Sequence, residues 1–85
     1  MNIDMLIIEL KVMLYRKTLL KYGIYNENRS QKVRVNYGKN RVTVYINNQY
    51  VIRYNKKLNE LSLNNDNSFN MIDCLQYIND NIVLK

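Results

Sequence analysis

The sequence predicts a single small α+β domain with the element order α-β-β-β-α, in which a three-stranded antiparallel sheet packs on helices. Its 85 residues suit one domain rather than two. The first 22 residues contain no Gly or Pro, as a long helix requires, and three later segments alternate apolar and polar residues as strands do. The last segment returns to helical spacing. No internal repeat or linker divides the chain.

Residues 2–22 predict one long helix that ends at Gly23, a residue type favoured just past a helix end. Its apolar residues form two stripes. The first stripe comprises Ile3, Leu6, Ile7, Leu10, Met13 and Leu14, and the second comprises Met5, Ile8, Val12, Tyr15, Leu19 and Tyr22. A small sheet covers one stripe, so the other faces a loop, the second helix, another copy of the chain or a different protein. Met5, Ile8, Val12, Tyr15 and Leu19 are therefore candidate self-association residues in a homodimer.

A polar stretch at residues 24–31, which we interpret as a loop, precedes three predicted antiparallel strands at residues 32–37, 41–47 and 50–55. Residues 38–40 and 47–49 form the turns between them. A three-residue second turn pairs Val44 with Ile52, whereas a two-residue turn would place Arg53 on the apolar face. We therefore predict the three-residue turn.

This register gives the sheet one apolar and one polar face. The apolar face carries Val33, Val35, Tyr37, Val42, Val44, Ile46, Tyr50, Ile52 and Tyr54. The opposite face carries Arg34, Asn36, Thr43, Tyr45, Val51 and Arg53. Arg34 is expected beside Tyr45, with Val51 next to it and Arg53 diagonal to it.

Residues 56–67 leave two interpretations open: residues 61–63 form a short fourth strand, or their leucines attach a loop to the core. The polar run at residues 64–68 is expected to supply an N-cap for a last helix at residues 69–83. The apolar stripe of that helix comprises Met71, Ile72, Leu75, Ile78 and Ile82, with Cys74 near it.

Missing residue types argue against several functions. The chain has no His and one Cys, Cys74, so it cannot build a Cys/His zinc site or an intrachain disulfide. The side chain most often used for acid-base catalysis near neutral pH is absent, so we predict no enzyme and no cofactor. Asp4 and Glu9 interrupt the apolar start, which predicts a cytoplasmic protein without a membrane segment. Fifteen Asn residues and no Ala indicate an AT-rich genome.

Charge is segregated along the chain, although the net charge is only +6. Residues 11–57 hold twelve of the thirteen Lys and Arg residues and one carboxylate. A Tyr among Arg residues on an open sheet face fits a protein-binding surface, a nucleic-acid surface or an ordinary solvated face with cation–π packing. The candidate partner-binding residues are Lys32, Arg34, Asn36, Arg41, Thr43, Tyr45, Val51 and Arg53.

Two known classes share features with this chain. Double-stranded-RNA-binding domains have the same element order, but the start of their last helix is rich in Lys, whereas here residues 68–73 contain no basic residue and one acid. Small RNase toxins of toxin–antitoxin pairs are similarly basic and short. They often end in a basic and aromatic segment, which is absent here. A small RNA- or DNA-binding module and, less favoured, a toxin stay open as alternatives.

The chain resembles small phage-encoded anti-CRISPR proteins that inhibit Cas9. The resemblance lies in the apolar and charged start of the first helix, in Asn47 and Asn48 before Tyr50, and in the order of helix, three strands and helix. It implies a non-enzymatic inhibitor from a phage or mobile element that binds a host defence protein, such as a CRISPR effector, in the cytoplasm of the host. The best-known members are acidic and imitate DNA, and their acidic contact residues have no counterparts here. A basic member would instead bind an acidic protein surface, block a nuclease domain or contact guide RNA.

Overall fold

The computed structural model describes residues 2–23 and 32–84. It has two helices and four strands: α1 (Ile3–Tyr22), β1 (Val33–Tyr37), β2 (Arg41–Ile46), β3 (Tyr50–Asn55), β4 (Glu60–Leu63) and α2 (Met71–Asn81). The strands form one antiparallel sheet in the order β1-β2-β3-β4. The α+β class is therefore confirmed. The loop predicted at residues 24–31 lies outside the described residues.

The prediction of three strands was wrong, because residues 60–63 add a fourth strand beside β3. Leu61 pairs with Tyr54 and Leu63 pairs with Ile52, so both leucines continue the apolar face of the sheet. Both are buried, with 4% and 2% of their surface exposed. Of the two interpretations of this segment, the strand is correct, and the leucines are core residues because of it.

Helix α1 ends at Tyr22 as predicted and begins at Ile3, one residue later than predicted, with Asn2 as its N-cap. The Asn2 side chain accepts hydrogen bonds from the backbone N–H groups of Asp4 and Met5, which satisfies two donors that the first turn leaves unpaired. Gly23 has a φ of 80° and donates its N–H to the carbonyl of Leu19. The left-handed conformation is accessible to Gly without a Cβ penalty, which ends the helix here.

The predicted register of the first three strands is confirmed. Val44 pairs with Val35 on β1 and with Ile52 on β3. The β2–β3 turn places Asn47 and Asn48 at φ values of 52° and 60°, a left-handed conformation that Asn tolerates better than most residues. These two residues therefore allow the three-residue connection on which the register depends.

The core lies between the sheet and the two helices. Its residues from α1 are Ile3, Leu6, Ile7, Leu10 and Leu14. Its residues from the sheet are Val42, Val44, Ile46, Ile52, Tyr54, Leu61 and Leu63, and those from α2 and the residue after it are Cys74, Ile78 and Ile82. The first apolar stripe of α1 thus faces the sheet. None of the apolar residues of β1 is fully buried, because β1 is an edge strand that the helices cover only in part.

Two residues predicted to be core lie at the surface. Tyr37 at the end of β1 is 61% exposed and donates a hydrogen bond from its hydroxyl to Asp4 Oδ1 at 3.3 Å. Ile72 is 79% exposed, because Cys74 and Ile78 occupy the buried line of α2 and Ile72 lies to one side of it. Both predictions fail for the same reason: each residue lies at the margin of its layer.

Helix α2 is shorter than predicted, and its N-cap is Asn70 rather than a residue of the run at 64–68. The Asn70 side chain accepts from the backbone N–H of Asp73 at 2.8 Å. The end of α2 is held by Gln49, whose Nε2 donates to the carbonyl of Val83 at 2.8 Å and whose Oε1 accepts the Val83 N–H at 2.9 Å. These two hydrogen bonds attach the segment after α2 to the β2–β3 turn.

Candidate binding surface on the outer face of the sheet

All eight candidate partner-binding residues lie on the sheet face that the helices leave uncovered, here called the outer face. Its residues are Lys32, Arg34 and Asn36 from β1 and the residue before it, Arg41, Thr43 and Tyr45 from β2, and Val51 and Arg53 from β3. The antiparallel register aligns them in rows across the strands. Arg34, Tyr45 and Val51 form one row, and Asn36, Thr43 and Arg53 form the next. Arg41 lies opposite Asn55 at the end of β2.

The centre of the outer face is a cation–π pair. The guanidinium carbon of Arg34 lies 4.5 Å from the centroid of the Tyr45 ring. Val51 pairs with Tyr45 from the other side and adds an aliphatic contact surface. Because the Arg34 side chain, which has many rotamers, is held against the Tyr45 ring, less conformational entropy is lost when a partner binds it.

Arg53 is held by a residue from the far edge of the sheet. Its Nη1 donates to Asn65 Oδ1 at 3.1 Å, and Asn65 has a positive φ of 71° in the turn after β4. The sequence did not single out Asn65, because the contact exists only if residues 60–63 form a strand. The alternation of Leu61, Ser62 and Leu63 was the available signal for that strand.

A shallow depression opens between β2, β3 and β4 on the outer face. It has a volume of about 160 Å³ and is lined by Arg41, Arg53, Asn55, Glu60, Leu61, Ser62 and Asn67. Two guanidinium groups thus border one open recess that also holds a carboxylate at its edge. Residues of β4 and of the turn that follows it make up much of the lining, and the sequence analysis, which predicted three strands, did not identify this recess.

The arginines of the outer face, Arg34, Arg41 and Arg53, form no ion pair with a carboxylate in the part of the chain that the structure describes. Glu60, paired with Asn55 at the edge, is the acidic residue nearest to them in the strand register. The other carboxylates of the described chain lie on α1, on α2 and in the turn before α2. The sheet side is therefore positive and complements an acidic surface.

The candidate self-association residues lie on the exposed side of α1. Met5, Ile8, Val12 and Tyr15 are 50%, 54%, 40% and 48% exposed, and Leu19 is partly buried. Neither the sheet nor α2 covers this stripe fully. Next to it, a groove of about 260 Å³ runs between α1 and α2, lined by Glu9, Val12, Met13, Arg16, Lys17, Leu20, Leu75 and Asn79. Lys17 Nζ donates a hydrogen bond to the carbonyl of Asn79 at 2.7 Å and so links the two helices that line the groove.

The thiol of Cys74 is buried in the core. Burial raises the pKa of the Cys74 thiol from 9.0 to about 11, so the thiolate is scarce near neutral pH. In the described part of the chain, no three His, Cys, Asp or Glu side chains are close enough together to hold a metal ion. Neither described helix has the length and apolar character needed to cross a bilayer.

No protein-family model matches this chain, and no curated protein or solved structure is significantly similar to it.

Proposed function

We propose that this protein is a non-catalytic binding protein that docks its outer face onto an acidic surface of a protein partner and inhibits that partner. The observation that carries the proposal is a sheet face that the helices leave uncovered, on which three guanidinium groups have no carboxylate partner among residues 2–23 and 32–84. Two of the three, Arg34 and Arg53, are held by neighbouring side chains. Arg and Tyr are the residue types that most often dominate protein interfaces, and charge complementarity also speeds association.

The packing of Arg34 against the Tyr45 ring favours a protein partner over a single-stranded nucleic acid. Nucleic-acid-binding sheets present aromatic rings on which bases stack. Here Arg34 already lies against the Tyr45 ring, at 4.5 Å from its centroid. A base would have to displace the guanidinium group, whereas a protein surface contacts the packed pair as a unit. Carboxylates of the partner would then reach Arg41 and Arg53 at the depression beside it.

The resemblance to anti-CRISPR proteins provides the partner class: a host defence protein, and within it a CRISPR effector nuclease. An acidic member of that group occupies the DNA site of its target. With a positive outer face, this protein would bind an acidic region of the effector instead, such as the exposed surface of a nuclease domain. We therefore expect this protein to inhibit the effector without competing with DNA for the DNA-binding channel.

Co-elution with purified, guide-loaded CRISPR effector nucleases in size-exclusion chromatography tests this function, together with their DNA cleavage rate. We expect one effector to co-elute with the protein and to lose cleavage activity. The double variant Arg34→Glu/Arg53→Glu should lose both effects. Lys11→Glu is the control for the single variants Arg34→Glu and Arg53→Glu, because Lys11 is exposed on α1 away from the sheet and each of the three substitutions is one charge reversal.

Two outcomes would contradict the proposal. The first is that no effector co-elutes while oligonucleotides bind tightly. The second is that the Lys11→Glu control weakens effector binding as much as the single outer-face variants do, which would move the contact to the helices. Circular dichroism of all these variants checks that they remain folded.

Nucleic acid is the second candidate ligand, because Arg41 and Arg53 border one recess that a phosphate group could occupy. This candidate predicts oligonucleotide binding whose affinity falls steeply with salt, since each phosphate contact releases counterions. Fluorescence anisotropy with single- and double-stranded DNA and RNA at two salt concentrations distinguishes the two ligands. Binding that is undetectable at low salt, or that does not change with salt, excludes the nucleic-acid function.

A further inference from the structure

The exposed side of α1 carries a regular seam for a second helix. Met5, Ile8, Val12, Tyr15, Leu19 and Tyr22 follow one another at alternating spacings of three and four residues. This is the spacing of the a and d positions of a coiled coil, sustained here over about two and a half heptads. We call these six residues the α1 seam. The core residues of α1, such as Leu6, Leu10 and Leu14, lie on the other side of the helix.

Most of the seam is exposed at the protein surface. Its first four residues are each at least 40% exposed. They are consecutive members of one stripe, whereas isolated exposed apolar side chains are ordinary on a protein surface. Leu19 and Tyr22 at the other end are partly buried and continue the stripe to the end of the helix.

Charges on both sides of the seam identify its occupant and the orientation of that occupant. Asp4 and Lys11 border one side, and Glu9 and Arg16 border the other. In a parallel, in-register pair of α1 helices, Asp4 would face Glu9 of the second copy and Lys11 would face its Arg16, so all four contacts would be repulsive. In an antiparallel pair, Glu9 instead lies beside Arg16 of the second copy, and two-fold symmetry makes this favourable contact twice.

We propose that two copies of this protein pair through the α1 seam as an antiparallel two-helix interface. The layers match along the whole seam: Met5 meets Tyr22 of the second copy, Ile8 meets its Leu19, and Val12 meets its Tyr15. The two-fold axis passes between Val12 and Tyr15. Glu9 and Arg16 also border the groove between α1 and α2, so the attractive pairs lie where the second copy approaches α2.

This interface leaves the outer faces of both sheets uncovered, because the sheet packs on the opposite side of α1. The dimer would therefore present two binding surfaces pointing away from the helix pair. Two linked surfaces raise the effective affinity for a partner that carries two acidic sites. The dimer itself does not depend on the proposed function, and its test involves no other partner.

Sedimentation equilibrium over a wide range of protein concentrations tests whether the dimer exists. We expect a mass that rises from one chain to two, and no higher. Ile8→Asp should keep the protein monomeric and folded, since Ile8 is 54% exposed. Ile72→Asp is the matched control: Ile72 is more exposed, lies on α2 outside the seam, and should leave the dimer intact. A wild-type protein that stays monomeric at every concentration overturns the proposal. The same result is expected if the seam binds a helix of another protein, and the proposal is wrong in that case too.

Disulfide trapping tests the orientation. Ile8→Cys and Leu19→Cys lie eleven residues apart on one helix, about 16 Å, so they cannot join within a chain. In the antiparallel pair, position 8 of one copy lies beside position 19 of the second copy. The double variant should therefore form disulfide-linked dimers under mild oxidation, and neither single variant should. Cross-linking by both single variants would show a parallel pair and overturn the assignment. Native Cys74 is fully buried and serves as an internal non-reacting thiol.

Charge exchange tests the contact between Glu9 and Arg16. Glu9→Arg or Arg16→Glu alone should raise the dimer dissociation constant by about fivefold or more, because each creates two like-charged contacts. The double exchange should restore dimerisation to near the wild-type level. Failure of the double variant to recover, after both singles have weakened the dimer, contradicts the antiparallel arrangement.

Discussion

The guanidinium group of Arg34 on β1 lies over the ring of Tyr45 on β2, 4.5 Å from its centroid. The two residues are direct cross-strand partners in the sheet. Their contact is therefore a consequence of the strand register, and a shift of one residue would turn every side chain of β1 to the other face. The pair links the fold of the edge strand to the chemistry of the outer face.

The energy of this pair can be measured with a double-mutant cycle. Arg34→Gln removes the cation and Tyr45→Leu removes the aromatic ring, and both keep an extended side chain. At a partly exposed site we expect a coupling free energy of about 0.5–1 kcal/mol in urea unfolding. If the two substitutions are additive, Arg34 is not held by Tyr45 in solution, and the preorganisation argument for the outer face fails.

Two leucines of α1 differ in how far their side chains are buried. Leu10 has no exposed surface and Leu20 is 86% exposed. Leu10→Ala should reduce the free energy of unfolding by about 2–5 kcal/mol, because it leaves a cavity in the core. Leu20→Ala, the same change in the same helix, should alter it by less than about 0.5 kcal/mol. Chemical denaturation of both variants checks this. Equal effects would mean that the sheet packs against a different side of α1.

Asn64 extends the pairing of β3 beyond the end of β4. Its Oδ1 accepts the Val51 N–H at 2.7 Å and its Nδ2 donates to the Gln49 carbonyl at 3.3 Å. Asn64→Ala should destabilise the protein by about 1–3 kcal/mol, since it leaves the Val51 amide unpaired and places Ala at a φ of 48°. Hydrogen exchange of the Val51 amide should become faster in this variant. Asn67→Ala is the control, because the Asn67 side chain lies in the same turn region and forms no hydrogen bond within residues 2–23 and 32–84. It should leave the Val51 amide unchanged.

Alkaline pH should destabilise the protein through Cys74. Because burial raises the pKa of this thiol from 9.0 to about 11, the unfolded chain loses the proton first as the pH rises. The free energy of unfolding should therefore be unaffected by this group below about pH 8.5 and fall between pH 9 and 11. Tyr50, whose pKa is also raised by burial, acts in the same direction. Urea unfolding from pH 7 to 11 measures the effect.

The control for this pH dependence is the Cys74→Ala variant. Its free energy of unfolding should fall less steeply between pH 9 and 11 than that of the native protein. The native thiol should also react slowly with a thiol reagent at pH 8 and rapidly after unfolding. Rapid reaction of the folded protein would show that Cys74 is accessible, and the explanation of its raised pKa would be wrong.

Much of the sheet was predictable from the residue pattern. Alternation of β-branched residues with polar ones identifies β1 to β3, and keeping one face apolar selects the pairing of Val44 with Ile52. That register alone predicts Arg34 beside Tyr45, and the structure confirms it. Such predictions succeed because period-two alternation and turn length are local properties of the chain.

The sequence by itself determined which residues share a face: the two stripes of α1 and the two faces of the sheet. Tertiary structure decided which of those faces is buried, because burial depends on elements distant in sequence. It placed Leu10 rather than Val12 against the sheet, exposed Tyr37 and Ile72 at the margins of their layers, and made Leu61 and Leu63 part of a fourth strand. Periodicity sets the direction of each side chain relative to its own backbone, and packing alone determines what lies in that direction.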